Sequence, residues 1–236
     1  MRSGISAVCL SMALVAGCGS PEVEGDLEHV VEVHVNPGMA AEFEALVNDR
    51  NARRAAAGVT FLTRASRSES IVYRFVTPVG DWAGVEERAT QMAGLGPASA
   101  GLSGTDVIDH IDAYVRLRQP ELDYTPDDPR LDGDEWGMVR RVRFHVHQGM
   151  MDEMTEAISG AVALYAEHGI REPFITTRQV MGSGGPIMDV FFPAADPADY
   201  YGQAPETDSA LGEAAVELRN RVRELSTRHQ ENERDH

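Results

Sequence analysis

Residues 33–43 read VHVNPGMAAEF, and residues 144–154 read FHVHQGMMDEM. In both stretches apolar residues alternate before the glycine and recur at helical spacing after it, which predicts a strand, a tight turn and an amphipathic helix. Aligned without gaps over residues 31–47 and 142–158, the chain matches itself at Val31/Val142, His34/His145, Val35/Val146, Gly38/Gly149, Met39/Met150 and Glu42/Glu153. This self-similarity predicts an internal duplication.

The two copies continue in the same order. Two short strands are predicted at residues 59–67 and 71–77 of the first copy, and at 174–181 and 187–192 of the second. A second helix follows near Asp81 and near Pro197. Residues 106–117 are periodic and predict a helix that runs into a last strand. Each copy therefore follows the order β-α-β-β-α-β, which is the ferredoxin-like unit.

The repeat and the N-terminal sequence predict a division of the chain into five segments. The predicted segments are a signal peptide at 1–17, a spacer at 18–27, repeat 1 at 28–122, a linker at 123–136 and repeat 2 at 137–232. The linker, DYTPDDPRLDGDEW, is rich in Pro and Asp, so it is expected to be solvated. The tail from Gln230 is expected to fray.

A tandem pair of such units resembles the dimeric α+β barrel superfamily, which includes antibiotic-biosynthesis monooxygenases, haem-degrading enzymes and chlorite dismutase-like proteins. The resemblance implies an α+β fold in which two ferredoxin-like repeats pack sheet to sheet as an intramolecular pseudo-dimeric barrel. It implies no particular activity, because one fold hosts many chemistries.

The N-terminal stretch is typical of a targeting signal. Arg2 precedes an apolar run at residues 5–16, which is too short to span a bilayer as a stable helix. Residues 14–18, LVAGC, resemble the lipobox of bacterial lipoproteins, which implies cleavage before Cys18 and a lipid on its thiol. We therefore expect a lipid-anchored protein of the bacterial cell envelope, at the outer membrane or the periplasmic face and not in the cytoplasm. An ordinary secretory signal that contains a cysteine is the alternative.

The amino-acid composition limits the partners and the cysteine chemistry that can be expected. The net charge is −17 and every positive side chain other than histidine is Arg, so nucleic acid is not an expected partner. The only cysteine besides Cys18 is Cys9, inside the predicted signal. Cysteine catalysis, thiolate-held metals and an internal disulfide are therefore not expected in the mature chain.

Polar residues on the inner faces of the strands suggest a site. If two sheets close a barrel, these side chains point inside and must be paired or bound by a ligand. A satisfied ion-pair network and a pocket for a small polar or anionic molecule both remain open. The predicted ligand-binding residues are Glu32, His34, Arg64, Arg143, His145, His147 and Arg178.

His145 and His147 leave the strand on one face and have the spacing of a metal chelate. No further ligand has a fixed spacing to them, so we predict no metal and no cofactor, and we assign no catalytic residue. The leading hypothesis is a lipid-anchored envelope protein that binds a small ligand between its sheets. The alternatives are a cofactor-independent monooxygenase acting on a small aromatic, and a purely structural or interaction module.

Overall fold

The computed structural model describes residues 26–58, 63–68, 71–94 and 106–235. Cys18 and the predicted signal peptide lie outside the described residues. Within these described ranges, no helix has both the length and the hydropathy to cross a membrane.

The described elements confirm the duplicated β-α-β-β-α-β order. Repeat 1 contains β1 (Leu27–Val35), α1 (Ala40–Ala56), β2 (Arg64–Ser68), β3 (Val72–Gly80), α2 (Trp82–Gly94) and β4 (Ile108–Arg118). Repeat 2 contains β5 (Met138–Val146), α3 (Met151–Glu167), β6 (Ile175–Met181), β7 (Ile187–Ala194), α4 (Pro197–Leu225) and β8 (Ser226–Asp235). Gly212 has non-helical backbone angles and kinks α4.

The strands form one closed antiparallel barrel in the order β1-β3-β2-β8-β5-β7-β6-β4. Each repeat contributes four neighbouring strands, and the repeats join where β2 pairs with β8 and β4 pairs with β6. The last strand of each repeat thus completes the sheet of the other. Closure leaves no free sheet edge among these strands.

The repeated His-Val-x-x-Gly-Met sequence builds the same corner twice. Gly38 has φ +85° and Gly149 has φ +81°, a left-handed conformation that glycine adopts without steric cost. The helices that follow, α1 and α3, are both 17 residues long. In α3, Met154, Ile158 and Ala161 are buried at helical spacing, which fixes the face packed on the sheet.

Alternation along the strands separates an outer face from an inner one. Val33 and Val35 of β1 pack with Phe43 of α1 and Tyr73 of β3 in the outer layer, beneath the helix. Their neighbour Glu32 therefore points into the barrel. The second outer core, in repeat 2, is larger and includes Met154 and Met188.

Three sequence expectations are wrong. The linker is not merely solvated, because Tyr124 is buried and donates its hydroxyl hydrogen to the Ile170 carbonyl oxygen at 2.6 Å. Arg130 of the linker also makes two hydrogen bonds to Asp199.

The tail does not fray at Gln230, because β8 continues to Asp235 and pairs with both β2 and β5. Residues 108–118 form a strand, and the two described residues directly before it, 106 and 107, form a turn and not a helix.

Candidate functional site

The middle of the barrel is filled by charged side chains and one tyrosine from both repeats, which we call the charged centre: Glu32, Arg74, Tyr114, Arg141, Arg143 and Asp189. Glu32 Oε1 accepts hydrogen bonds from Arg74 Nε at 2.8 Å, Tyr114 Oη at 2.7 Å and Arg141 Nη1 at 2.7 Å. Arg143 bonds both carboxylate oxygens of Asp189, at 2.8 and 2.9 Å. Arg143 Nη2 also reaches Glu32 at 3.3 Å, so one network spans the two sheets.

The pairing keeps both carboxylates of the charged centre ionised. Burial raises the pKa of Glu32, but the charges of Arg141, Arg74 and Arg143 outweigh it and hold that pKa far below its usual value. Asp189 behaves in the same way: the effect of burial is outweighed by Arg141 and Arg143, and its pKa is lowered. Burial raises the pKa of Tyr114 to about 12, so its hydroxyl stays a donor.

Next to the charged centre lies a cavity of about 260 Å³, which we call the Trp136 cavity. Its apolar walls include Val76, Val139, Ile175 and Phe191. The linker closes one side of it with Trp136. The docked linker is therefore part of the candidate site.

Three charged side chains line part of the Trp136 cavity: Glu28, Arg64 and Arg116. Glu28 pairs with Arg116 Nε at 2.7 Å and with Arg64 Nη2 at 2.7 Å. The Arg116 guanidinium lies 5.0 Å from the centroid of the Phe191 ring. These contacts hold a buried cation against an aromatic wall.

Two residues that line this cavity each have a buried polar atom without a hydrogen-bond partner in the described structure, Thr177 Oγ1 and Trp136 Nε1. Thr177 is 2% exposed. A buried hydroxyl or indole N–H without a partner costs about 1–3 kcal/mol. Both groups can donate a hydrogen bond, so the cavity is suited to a ligand that carries an acceptor oxygen.

At the opposite end of the barrel, His34, His110 and Asp112 form a cluster that we call the histidine mouth. Each offers one ligand atom, and the three atoms lie within 4.8 Å of one another. The two imidazole rings stack with centroids 3.8 Å apart. No other group of three or more such side chains occurs in the part of the chain that the structure describes.

The structure assembles part of the set predicted from sequence. Glu32 and Arg143 belong to the charged centre, Arg64 lines the Trp136 cavity, and His34 belongs to the histidine mouth. The charged centre is an ion-pair network, and a cavity lies beside it.

Three predicted residues belong to none of these three groups. Arg178 is predicted to bind the ligand, but it pairs in register with Met188, which packs in the outer core, whereas Arg64 pairs with the inward Val76. His145 is exposed at the end of β5, and His147 is exposed beyond it. Neither histidine belongs to the histidine mouth, so the pair does not form the metal chelate that its spacing suggests.

Sequence reasoning missed the residues that give the cavity its polar character. Trp136 stands in an Asp- and Pro-rich linker, where a large aromatic is unexpected, and that anomaly was the available signal. Thr177 and Arg116 carried no such signal. Their position depends on the pairing of β4 with β6, in which Arg118 lies opposite Thr177.

Comparison with solved structures supports the fold. An anthrone oxidase-like protein superposes with a TM-score of 0.62 at 13% identity, over 90% of this chain and 92% of that one. A provisionally assigned monooxygenase from Fusobacterium nucleatum superposes with a TM-score of 0.54 at 8% identity, over 90% and 94%. At these identities the likeness shows the fold alone, a pseudo-dimeric α+β barrel. No protein-family model and no curated protein sequence matches the chain.

Proposed function

We propose that the barrel binds a small, largely aromatic molecule with a hydrogen-bond-accepting oxygen in the Trp136 cavity. The observation that carries this proposal is the pair of unpartnered donors, Thr177 Oγ1 and Trp136 Nε1, in the wall of one cavity. A bound acceptor oxygen satisfies a group whose burial is otherwise unfavourable.

The shape and walls of the cavity limit the ligand. Its volume of about 260 Å³ is below the roughly 300–1,000 Å³ of pockets for drug-sized molecules, which favours a ligand of a few rings at most. Phe191 and Trp136 offer aromatic surfaces for stacking. Arg116, held by Glu28, supplies positive charge that favours a phenolate, enolate or carboxylate oxygen.

The matched threonines of β6 test this proposal with 2-naphthoate as the probe. Thr177→Val removes the unpartnered hydroxyl, so we expect unchanged or higher stability together with about 5-fold weaker binding by tryptophan fluorescence. Thr176 Oγ1 instead donates to the Leu122 carbonyl oxygen, away from the cavity. Thr176→Val should therefore lower stability by about 1–3 kcal/mol and leave 2-naphthoate binding unchanged.

The opposite pattern, in which Thr177→Val destabilises the protein and does not affect the probe, would contradict the assignment. Val139→Phe gives a second test that does not depend on the hydroxyl. Val139 lines the cavity and is half-buried, and a phenyl ring there occupies the ligand volume. Binding that survives Val139→Phe would place the ligand elsewhere.

A second candidate function is oxygenation of the bound aromatic without a cofactor. The backbone likeness to the anthrone oxidase-like protein favours it, together with the cation beside the aromatic wall. In such a reaction a ring CH2 group and O2 become a ring C=O group and water. Arg116 would lower the pKa of the bound substrate and favour the electron-rich anion that reacts with O2.

Oxygen uptake with anthrone separates the two functions. An oxygenase consumes one O2 for each anthraquinone formed, above the rate without protein, and loses this activity in Val139→Phe. Binding of anthrone without accelerated uptake assigns the cavity to binding alone. Uptake that persists in Val139→Phe would exclude this cavity as the site of reaction.

We also propose that the protein is tethered to an envelope membrane through lipid at Cys18. The support is the LVAGC sequence at residues 14–18, which resembles a lipobox. Several acyl chains on one residue give stable anchoring, because each buried methylene contributes about 0.8 kcal/mol. Cys18→Ser should move the protein from the membrane fraction to the soluble fraction, whereas unchanged fractionation would refute the tether.

A further inference from the structure

The histidine mouth has the composition and spacing of a metal site, and it lies away from the Trp136 cavity. We propose that His34, His110 and Asp112 bind one divalent transition-metal ion of the Zn²⁺ class. This inference goes beyond the proposed function, because none of these three residues lines the Trp136 cavity.

The distances between the ligand atoms fit a small cation. Asp112 Oδ2 lies 3.7 Å from His34 Nε2 and 3.6 Å from His110 Nε2. Tetrahedral zinc with bonds of about 2.1 Å places its ligand atoms roughly 3.4 Å apart. Small side-chain rotations that separate the stacked rings therefore bring all three atoms to bonding distance.

His110 is oriented as a metal ligand by a second carboxylate. Its Nδ1 lies 2.8 Å from Asp109 Oδ2, and the tautomer that donates this hydrogen bond leaves Nε2, 3.6 Å from Asp112 Oδ2, free to bind a metal. A carboxylate behind the imidazole is the usual outer partner of a metal-bound histidine. The neighbouring strand residues Asp109, His110 and Asp112 thus supply one ligand, its orienting group and a second ligand.

His34 completes the ligand set from the neighbouring strand β1. Its Nε2 atom lies 3.7 Å from Asp112 Oδ2, and its side chain is only partly exposed. Three protein ligands leave a fourth position open, and the half-exposed side chains of His110 and Asp112 place it at the barrel rim.

The second repeat provides an internal control. Register pairs His34 with His110 in repeat 1, but the equivalent His145 pairs with Thr227 in repeat 2. Repeat 2 therefore has the equivalent of His34, but Thr227 stands where repeat 1 has His110. The counterpart in repeat 2 therefore should not bind metal.

The test is titration of the tag-free, full-length chain with Zn²⁺ by calorimetry, and with Co²⁺ by visible absorption. We expect one high-affinity ion per chain and a tetrahedral Co²⁺ spectrum. His110→Ala and Asp112→Asn should each abolish that spectrum and weaken Zn²⁺ binding by at least about 100-fold, and Asp109→Asn should weaken it by about 10-fold. His145→Ala and His147→Ala are the matched controls and should bind like the wild type.

The proposal is overturned if no stoichiometric Zn²⁺ is bound, or if the affinity survives Asp112→Asn and instead falls in His145→Ala. These three residues lie at the rim, and circular dichroism should show that the variants fold. Failure here leaves 2-naphthoate binding at the other end of the barrel unaffected, so the two proposals fail independently.

Discussion

The two repeats are alike at their outer turns and opposite in charge at the barrel centre. In repeat 1, Glu32 of β1 pairs in register with Arg74 of β3. At the equivalent place in repeat 2, Arg143 of β5 pairs in register with Asp189 of β7. Each repeat therefore carries one acid and one arginine on adjacent strands, with the polarity reversed.

The reversed order of acid and arginine is possible because the two copies lie in one chain and can carry different residues at equivalent positions. In a symmetric dimer of identical units, equivalent residues near the axis face each other and like charges meet. Here Glu32 accepts hydrogen bonds from Arg141 and Arg143 of the other repeat. Divergence of the copies has made the two inner faces complementary, and the charged centre joins them.

The largest expected effect comes from removing the one carboxylate that both repeats share. Glu32→Gln keeps the side-chain volume but leaves Arg74, Arg141 and Arg143 together without its charge. Breaking a buried ion pair from one side costs about 3–5 kcal/mol, and we expect that loss in urea-induced unfolding. As a control, Asp49→Asn removes an exposed pair with Arg53 and should change stability by less than about 0.5 kcal/mol. A small effect at Glu32 would mean that the charged centre does not hold the repeats together.

Reversing one repeat tests whether complementarity between the repeats matters in addition to pairing within each. Arg143→Glu combined with Asp189→Arg keeps an acid–arginine pair inside repeat 2 but sets a carboxylate opposite Glu32. We expect a loss of about 2–3 kcal/mol in unfolding free energy. Adding Glu32→Arg and Arg74→Glu reverses both repeats and should recover part of that loss. Equal stability of the double variant and the wild type would show that each pair acts alone.

The outer faces differ in their response to pH. Burial, and then the charge of Arg88, lower the pKa of His29 from 6.5 to about 4, and Arg88 Nε donates to His29 Nδ1 at 3.1 Å. The equivalent position of repeat 2 is occupied by Arg140 and not by a histidine. Between pH 6.5 and 4 the unfolded chain binds a proton that folded His29 does not, so stability falls as the pH falls through this window.

His29→Gln should remove this part of the pH dependence. Allowing for partial solvent screening, we expect the wild type to lose about 1–2 kcal/mol more than the variant between pH 7 and pH 4. Urea midpoints across that range measure the difference. Parallel curves for the two proteins would show that His29 does not contribute.

How much of the fold and of the candidate site could be predicted from the sequence depends on how far apart in the chain the interacting residues lie. Strand alternation and the repeat predicted the duplicated unit and placed Glu32 and Arg143 on one face of their strands, because both depend on local periods. The barrel itself was implied by the resemblance to a known superfamily. The prediction for Arg178 is wrong because the inward positions of a strand depend on its register, and pairing in the sheet makes Ile175, not Arg178, the equivalent of Arg64. The Trp136 cavity could not be predicted, since it requires the linker to dock against the barrel.

The histidine mouth was missed for a related reason. Residues 106–117 predicted a helix at their start, and on a helix His110 does not lie opposite His34. As a strand, the same segment pairs His110 directly with His34 and Asp112 with Glu32. The secondary structure of one short segment therefore decided whether a metal site was visible in the sequence.

The smallest expected effect should be the same in both repeats, because it arises where they have not diverged. Gly38 and Gly149 have φ near +80°, and a Cβ added at either one meets no atom within 4 Å. Gly38→Ala and Gly149→Ala should therefore cost only the left-handed backbone, about 1 kcal/mol each. Gly160 lies exposed within α3 with equal space around it, and Gly160→Ala should stabilise by about 0.5–1 kcal/mol. If the two turn variants differ by much more than the error of the urea measurement, the corners are not equivalent, and the divergence of the repeats extends beyond the charged centre.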